Sequence, residues 1–249
     1  MALYHDFDIY PADTPTVVTV GSFDGVHAGH SLLIERLNAM ARRLGARSVV
    51  VSFEPHPRIA MGRADGMMLL TSIEERVELL ERMGVDDVVI AHFDESFRSQ
   101  SYTDFVVNSL VHELSMRGMV MGYNHRFGRE HTGNYAALLP LGESLGFEVE
   151  QVAQYTDSGD KVSSTVVREL ITAGDMERAT TMLGHPYMVI GSIIGGRLDI
   201  ADEYKLLPCE GSYRAMVNGT ERVVGVERRT LHLPCEYDCR AVVEFMERV

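Results

Sequence analysis

The sequence is poor in cysteine, in basic charge and in long apolar runs, and each shortage excludes a class of protein. Its three cysteines, Cys209, Cys235 and Cys239, are an odd number with no C-x-x-C among them. They make neither a disulfide framework nor a zinc knuckle and are read as reduced thiols in a cytosol. Lys and Arg number 23 against 36 Asp and Glu, a formal net charge of −13. A chain this acidic is repelled by phosphate backbones and anionic lipid, which argues against nucleic-acid and membrane-surface partners. No apolar run reaches the roughly 18 residues that a spanning helix needs. The polar start Met1-Ala-Leu-Tyr-His-Asp-Phe-Asp8 lacks the basic and apolar regions of a secretory leader, so a cytoplasmic protein is expected. There is no internal repeat and no low-complexity tract. With 45% apolar and 24% charged residues among 249, the composition is that of an ordinary globular protein, long enough for one large domain or for one domain plus a small appendage.

The first strong signal is the β-branched run Thr16 to Val20, closed by Gly21 and followed by a helical stretch from Ala28 to Leu44. Leu33, Leu37, Met40 and Leu44 form one stripe of that helix. Strands at 48–53, 87–91, 119–122 and 147–152 alternate with helices at 72–83, 102–114 and 135–145. The first of these helices opens on a capping box, Ser72-Ile-Glu-Glu75. Such alternation implies a Rossmann-like parallel sheet wrapped by helices, with ligands at the carboxyl ends of the strands. Short helices follow to Ile171 and from Asp175 to Leu183. At Gly184-His-Pro-Tyr187 the character changes to short β-like runs, 187–194, 213–217, 222–227 and 241–246. Residues 1–184 are therefore expected to form the α/β domain and residues 185–249 a small antiparallel β domain.

Chemistry concentrates at the ends of those strands. Gly21-Ser-Phe-Asp-Gly-Val-His-Ala-Gly-His30 is neither G-x-G-x-x-G nor a P-loop. Residues three apart share a helix face, so His27 and His30 are placed to reach an anion at the helix N-terminus; a bare His pair reads equally as polar lining of a turn. Asp24 reads as a group orienting a histidine, as a magnesium contact through water, or as an Asx turn. Ser163-Ser-Thr165 before an apolar helix, with Arg168 one turn on, reads as a second anion cradle or as a simple cap. Arg126 and Arg129 among the glycines of 122–133 are a basic island in an acidic chain and a nucleotide contact. For Pro55, His56 and Pro57 the readings are a rigid loop, with His56 a bystander, and a functional contact.

Gly21 to His30 resembles the G-x-F-D-G-V-H-x-G-H signature of the prokaryotic FAD synthetases, which are usually fused to riboflavin kinase. Phe53-Glu-Pro-His-Pro57, Leu70-Thr-Ser-Ile-Glu-Glu-Arg76, Gly122-Tyr-Asn-His-Arg-Phe-Gly128 and Val162-Ser-Ser-Thr-Val-Val-Arg168 are similar to that family's later segments, in the family's order. The resemblance implies transfer of AMP from ATP to FMN, giving FAD and pyrophosphate, with magnesium accompanying the ATP. It implies that His27 and His30 stabilise the reacting phosphoryl group and that Ser164, Thr165 and Arg168 hold the outgoing pyrophosphate. Gly21, Phe23, Asp24, Gly29, Asn124 and Arg126 are implied to bind nucleotide. Asn124 stands where the family often has Asp, and His125 where it often has Phe. Asn keeps the reach but not the charge, so no direct protein ligand to metal is assigned.

In the tail, 187–197 and 207–213 resemble segments of the family's riboflavin kinase barrel. The Gly-x-Pro-Thr-Ala-Asn element between them is absent, replaced by Leu198-Asp-Ile-Ala-Asp-Glu-Tyr-Lys205. A truncated barrel without riboflavin kinase activity is expected. The rival readings are a nucleotidyltransferase for another phosphorylated acceptor and a non-catalytic flavin-nucleotide binder.

Overall fold

The computed structural model describes every residue except 12, 64–65, 158–159 and 234–237; Cys235 lies outside the described residues. The elements, in chain order, are β1 (Ala2–His5), β2 (Thr16–Val20), α1 (Ala28–Leu44), β3 (Arg47–Glu54), α2 (Pro57–Ala60), α3 (Ile73–Arg82), β4 (Asp87–His92), α4 (Glu95–Ser99) and α5 (Tyr102–Asp104), which continues as a π-helix over Phe105–Glu113. Then come β5 (Met116–Gly122), a 3-10 turn (Arg129–His131), α6 (Tyr135–Leu145), β6 (Glu148–Val152), β7 (Thr156–Asp157), β8 (Asp160–Lys161), α7 (Ser164–Ala173) and α8 (Met176–Leu183). Six strands close the chain: β9 (Tyr187–Ile194), β10 (Arg197–Asp199), β11 (Gly211–Val217), β12 (Thr220–Glu227), β13 (Thr230–His232) and β14 (Cys239–Arg248). The chain divides into two compact units, one of Met1–Phe23, His30–Asp65 and Leu80–Tyr155, the other of Asp24–Gly29, Gly66–Leu79 and Thr156–Val249.

The first unit is built on a six-stranded sheet in the order β1-β4-β3-β2-β5-β6, every pairing parallel. β2 is buried along its whole length because it has a neighbour on each edge and helices over its faces, which is why it reads as a continuous apolar run. Chain order reverses between β2 and β5, so Gly21 and the loop beginning at Gly122 both leave the sheet at its carboxyl rim, where ligands of open α/β sheets bind. β1 escaped the sequence reading because it is an edge strand whose residues alternate between half-buried and exposed. The helix expected over 102–114 is a correction: only three residues are α-helical before the wider π-helical turn. Its i→i+5 spacing, seen in the Leu114 amide donating to the Ser109 carbonyl at 3.2 Å, keeps Phe105, Val106, Ser109 and Leu110 buried together.

The second unit contains a closed antiparallel barrel, β10-β13-β12-β11-β14-β9, with α7 and α8 beside it. The shortened antiparallel domain expected from sequence is a closed barrel of six strands. β10 and β13 went unread because three residues each are too short to show a period. Closure brings β10 so near β9 that a Cβ on Gly191 would lie 2.3 Å from the Asp199 carbonyl oxygen. One apolar cluster joins the barrel interior, including Tyr187, Tyr213, Val243 and Phe245, to Val167, Ile171 and Leu183 of the helices. Cys209 is in no disulfide among the described residues. Among the described residues no helix is long and apolar enough to cross a membrane.

Candidate nucleotide site

In the second unit, Asp24 organises the turn that precedes α1. Its carboxylate is buried and accepts from the Leu70 amide at 2.9 Å, the Thr71 amide at 3.0 Å and the Thr71 hydroxyl at 3.3 Å, all on Oδ1. Its Oδ2 receives the Nη2 of Arg168. None of the three sequence readings for Asp24 describes these contacts: its side chain orients an arginine. Arg168 is fixed at a second point, its Nε donating to the Met68 carbonyl at 2.7 Å. Of the five N–H groups of a guanidinium, two are thereby committed, and Nη1 meets no protein acceptor among the described residues.

The start of α7 is tied to the same turn. Ser163 caps the helix, its hydroxyl accepting from the Val166 amide at 3.4 Å, whereas Ser164 donates its hydroxyl hydrogen to the Asp24 carbonyl at 2.9 Å. Thr165 is exposed. Ser163 is thus the cap, and Ser164 binds across to the histidine-bearing turn. Gly25 donates its amide to Thr71 Oγ1 at 3.1 Å, and its carbonyl lies 3.1 Å from Nε2 of His185. A side chain cannot replace its hydrogen, because φ is +85° and a Cβ would lie 2.6 Å from Leu70 Cδ1. Phe23 and Val26, on either side, are also left-handed, at φ 48° and 41°. For a β-branched valine that is a strained backbone, held only because its surroundings over-determine it.

His27 stands immediately before α1 and Gly29 is the second residue of that helix. Burial lowers the His27 pKa from 6.5 to about 4, against the opposing pull of its own backbone and of Asp24. At pH 7 its imidazole is neutral and donates through a single N–H.

The first unit carries the remaining candidates. Gly21 follows β2, the Phe23 ring is buried, and the His30 ring lies 5.0 Å from it at 49°. His56 is buried and caps α2, its Nδ1 accepting from the Arg58 amide at 3.2 Å, with Pro57 opening the helix; this is the rigid-loop reading in atomic form. The loop from Gly122 to Gly133 is cinched by reciprocal backbone bonds between Phe127 and Gly133, at 3.1 and 3.0 Å. Asn124 and Arg126 project from it, exposed. His125 between them stacks on Phe127 at 5.7 Å, burial lowers its pKa to about 4, and its buried Nε2 has no hydrogen-bond partner among the described residues. Among the described residues no three His, Cys, Asp or Glu side chains are grouped to hold a metal ion.

Sequence reading missed Met68, Leu70, Thr71 and His185 as parts of this arrangement. Two of them act through backbone atoms, which leave no residue-type signal; Thr71 and His185 stood inside quoted segments but were read only as a helix start and a domain boundary.

Comparison with known proteins shows the family. The family model described as FAD synthetase matches residues 10–166. A bifunctional riboflavin kinase/FMN adenylyltransferase of Listeria monocytogenes is 34% identical over 185 residues, covering 74% of this chain and 58% of that protein. The protein of the same description from Escherichia coli K12 is 31% identical over 180 residues, covering 72% of this chain and 58% of its own length. The chain thus spans less than two thirds of the relatives it matches. In fold it is similar to a crystal structure described as a macrolide-efflux protein from Streptococcus pneumoniae, with TM-score 0.83 and 22% identity over 99% of this chain and 90% of that one.

Proposed function

The chain belongs to the FAD synthetase family, and from that premise we propose that it transfers AMP from ATP to FMN, forming FAD and pyrophosphate. A phosphate oxygen of FMN attacks the α-phosphorus of ATP in line, the α–β phosphoanhydride bond breaks, and pyrophosphate leaves. The protein's part is positioning and charge neutralisation.

The observation that carries this reading is the tie between the two anion-binding turns: Asp24, three residues before His27, holds the guanidinium of Arg168 and, through its carbonyl, the hydroxyl of Ser164. Two segments 140 residues apart in sequence are thereby fixed to each other, as a triphosphate gripped at both ends requires. In this reading His27 and His30 donate hydrogen bonds to the reacting phosphoryl oxygens. Arg168, through its uncommitted N–H groups, holds the departing pyrophosphate with the free helix-start amide of Ser164 and the hydroxyl of Thr165. Gly21, Phe23 and Gly29 shape the turn, and Asn124 and Arg126 contact the nucleotide; Pro55, His56 and Pro57 form a rigid rim for flavin or ATP.

Magnesium is part of the proposal only as the counterion that ATP brings. The buried Asp24 carboxylate is already occupied by Arg168 and backbone amides, and no described acidic cluster fits a metal, so no step is assigned to it. Residues 1–184 are assigned the transferase and 185–249 the barrel. Because the Gly-x-Pro-Thr-Ala-Asn element is missing from the chain, riboflavin is not expected to be phosphorylated, and the thiols fit a cytoplasmic setting. The test is pyrophosphate release with a panel of acceptors including FMN and nicotinamide mononucleotide. Release specific to FMN, with FAD as product, supports the reading; release with another acceptor alone rejects it, and conversion of riboflavin to FMN rejects the absence of kinase activity.

A further inference from the structure

The Asp24 network continues beyond Leu70. The Leu70 amide donates to Asp24, and the Leu70 carbonyl accepts from the Lys205 ammonium at 2.6 Å. That ammonium is fully buried, and its two other acceptors are the Glu75 carboxylate at 2.6 Å and the Met188 carbonyl at 2.8 Å. Three donors meet three acceptors, with the Tyr187 ring 4.3 Å away as a cation–π face. Glu75 is equally buried and equally satisfied: Oε1 accepts from the Ile190 amide at 2.8 Å and Oε2 from the Ser72 amide at 2.8 Å. Backbone bonds complete the tie, the Leu69 amide donating to Tyr204 at 2.7 Å and the Leu206 amide to Leu69 at 2.8 Å.

Stability alone does not call for such a pair. Two buried charges lose their hydration, and a well-packed apolar pair of similar volume is commonly as stable. What an ammonium supplies that an apolar side chain cannot is direction: it fixes three acceptors, on the 69–71 segment, at the start of α3 and on β9, at hydrogen-bond distance from one atom. One of those acceptors belongs to the residue whose amide holds Asp24. Burial pulls the Lys205 pKa down while the Glu75 charge pulls it back up.

We propose that Lys205, a barrel residue, is a positioning residue for adenylyl transfer. By holding the Leu70 carbonyl it sets the Leu70 and Thr71 amides against Asp24, and through Asp24 it aims the Arg168 guanidinium. The barrel is thereby a brace for the transferase chemistry. This inference rests on the function proposed above and goes beyond it in assigning the appended domain a part.

The test compares wild type with Lys205→Met and with Lys205→Met/Glu75→Gln. The single variant leaves Glu75 buried without its counter-charge and lowers Tm; the double variant removes both charges and recovers most of that loss. The proposal expects kcat for FAD formation to fall roughly 10- to 100-fold in both, the scale of a misplacement of about 1 Å, with KM for ATP and FMN changing less than threefold. It also expects Lys205→Met to slow the enzyme no further in an Arg168→Ala background, since its effect passes through that arginine. Turnover returning to the wild-type rate together with Tm in the double variant would overturn the positioning role and leave the function standing. An independent loss in the Arg168→Ala background would overturn it as well. A wild-type protein that makes no FAD would overturn the function itself, and this inference with it.

Discussion

The turn at Asp24 and the loop from Gly122 to Gly133 are both glycine-rich, both leave strands or turns of the nucleotide-binding motifs, and treat their polar groups in opposite ways. At Asp24 the carboxylate is engaged by two backbone amides, a threonine hydroxyl and one arginine N–H, the Asp24 carbonyl by a serine hydroxyl, and a second arginine N–H by the Met68 carbonyl. In the loop, Asn124 and Arg126 are exposed and the buried Nε2 of His125 has no hydrogen-bond partner among the described residues. A group already held by the protein is preorganised and aims its neighbours; a group left open has its bonding capacity available for a ligand. The first region should therefore govern turnover and stability together, the second affinity with little effect on stability.

The largest test of that contrast is Asp24→Ala. It strands Arg168 and two buried amides, so unfolding free energy should fall by about 3–5 kcal/mol, the usual loss when one partner of a buried pair is removed. FAD formation should fall with it, read by thermal denaturation beside a turnover assay. Next come His27→Ala and His30→Ala. Each should lower kcat roughly 100-fold, the scale seen when one donor to developing charge is lost, while ATP affinity changes less than threefold. Equal losses in both quantities would mean plain binding. Smaller again are Asn124→Ala and Arg126→Ala, expected to raise KM for nucleotide about 10-fold, in line with one charge-assisted hydrogen bond of about 1.5–3 kcal/mol. Tm should hardly move, and a Tm loss as large as that of Asp24→Ala would erase the distinction between the two regions.

The smallest effect is on pH dependence. His27 and His125 have folded pKa values near 4, below the 6.5 of an unfolded histidine, both because of burial. Between those values the unfolded chain binds more protons than the folded one, so stability is fully present above about pH 6.5 and declines as pH falls toward 4. His125→Phe should flatten that slope and, by removing an unpartnered buried nitrogen, raise Tm at neutral pH. An unchanged slope would show that His125 does not titrate with unfolding.

Much of this was legible in the sequence because it is local. α1 begins and ends where the apolar stripe and its flanking glycines place it, and the Ser72–Glu75 capping box forms reciprocally, at 2.8 and 3.2 Å. β2 declares itself because both its faces are covered. The pairings that join distant segments were not legible. Arg168 meets Asp24 across 144 residues and Lys205 meets Glu75 across 130. Nothing in a lysine's neighbours along the chain says that it is buried, or which carboxylate it will face. The π-helix at Phe105–Glu113 hid for another reason: its apolar residues satisfy an α-helical spacing nearly as well, and the choice between them is made by packing.

The most direct measurement is the yield of FAD and pyrophosphate from FMN and ATP, by wild type and by His27→Ala under the same conditions. The account predicts one pyrophosphate for each FAD in the wild type and a roughly 100-fold slower rate in the variant at saturating substrate. Pyrophosphate without FAD, or FAD formed at an undiminished rate by His27→Ala, would contradict it.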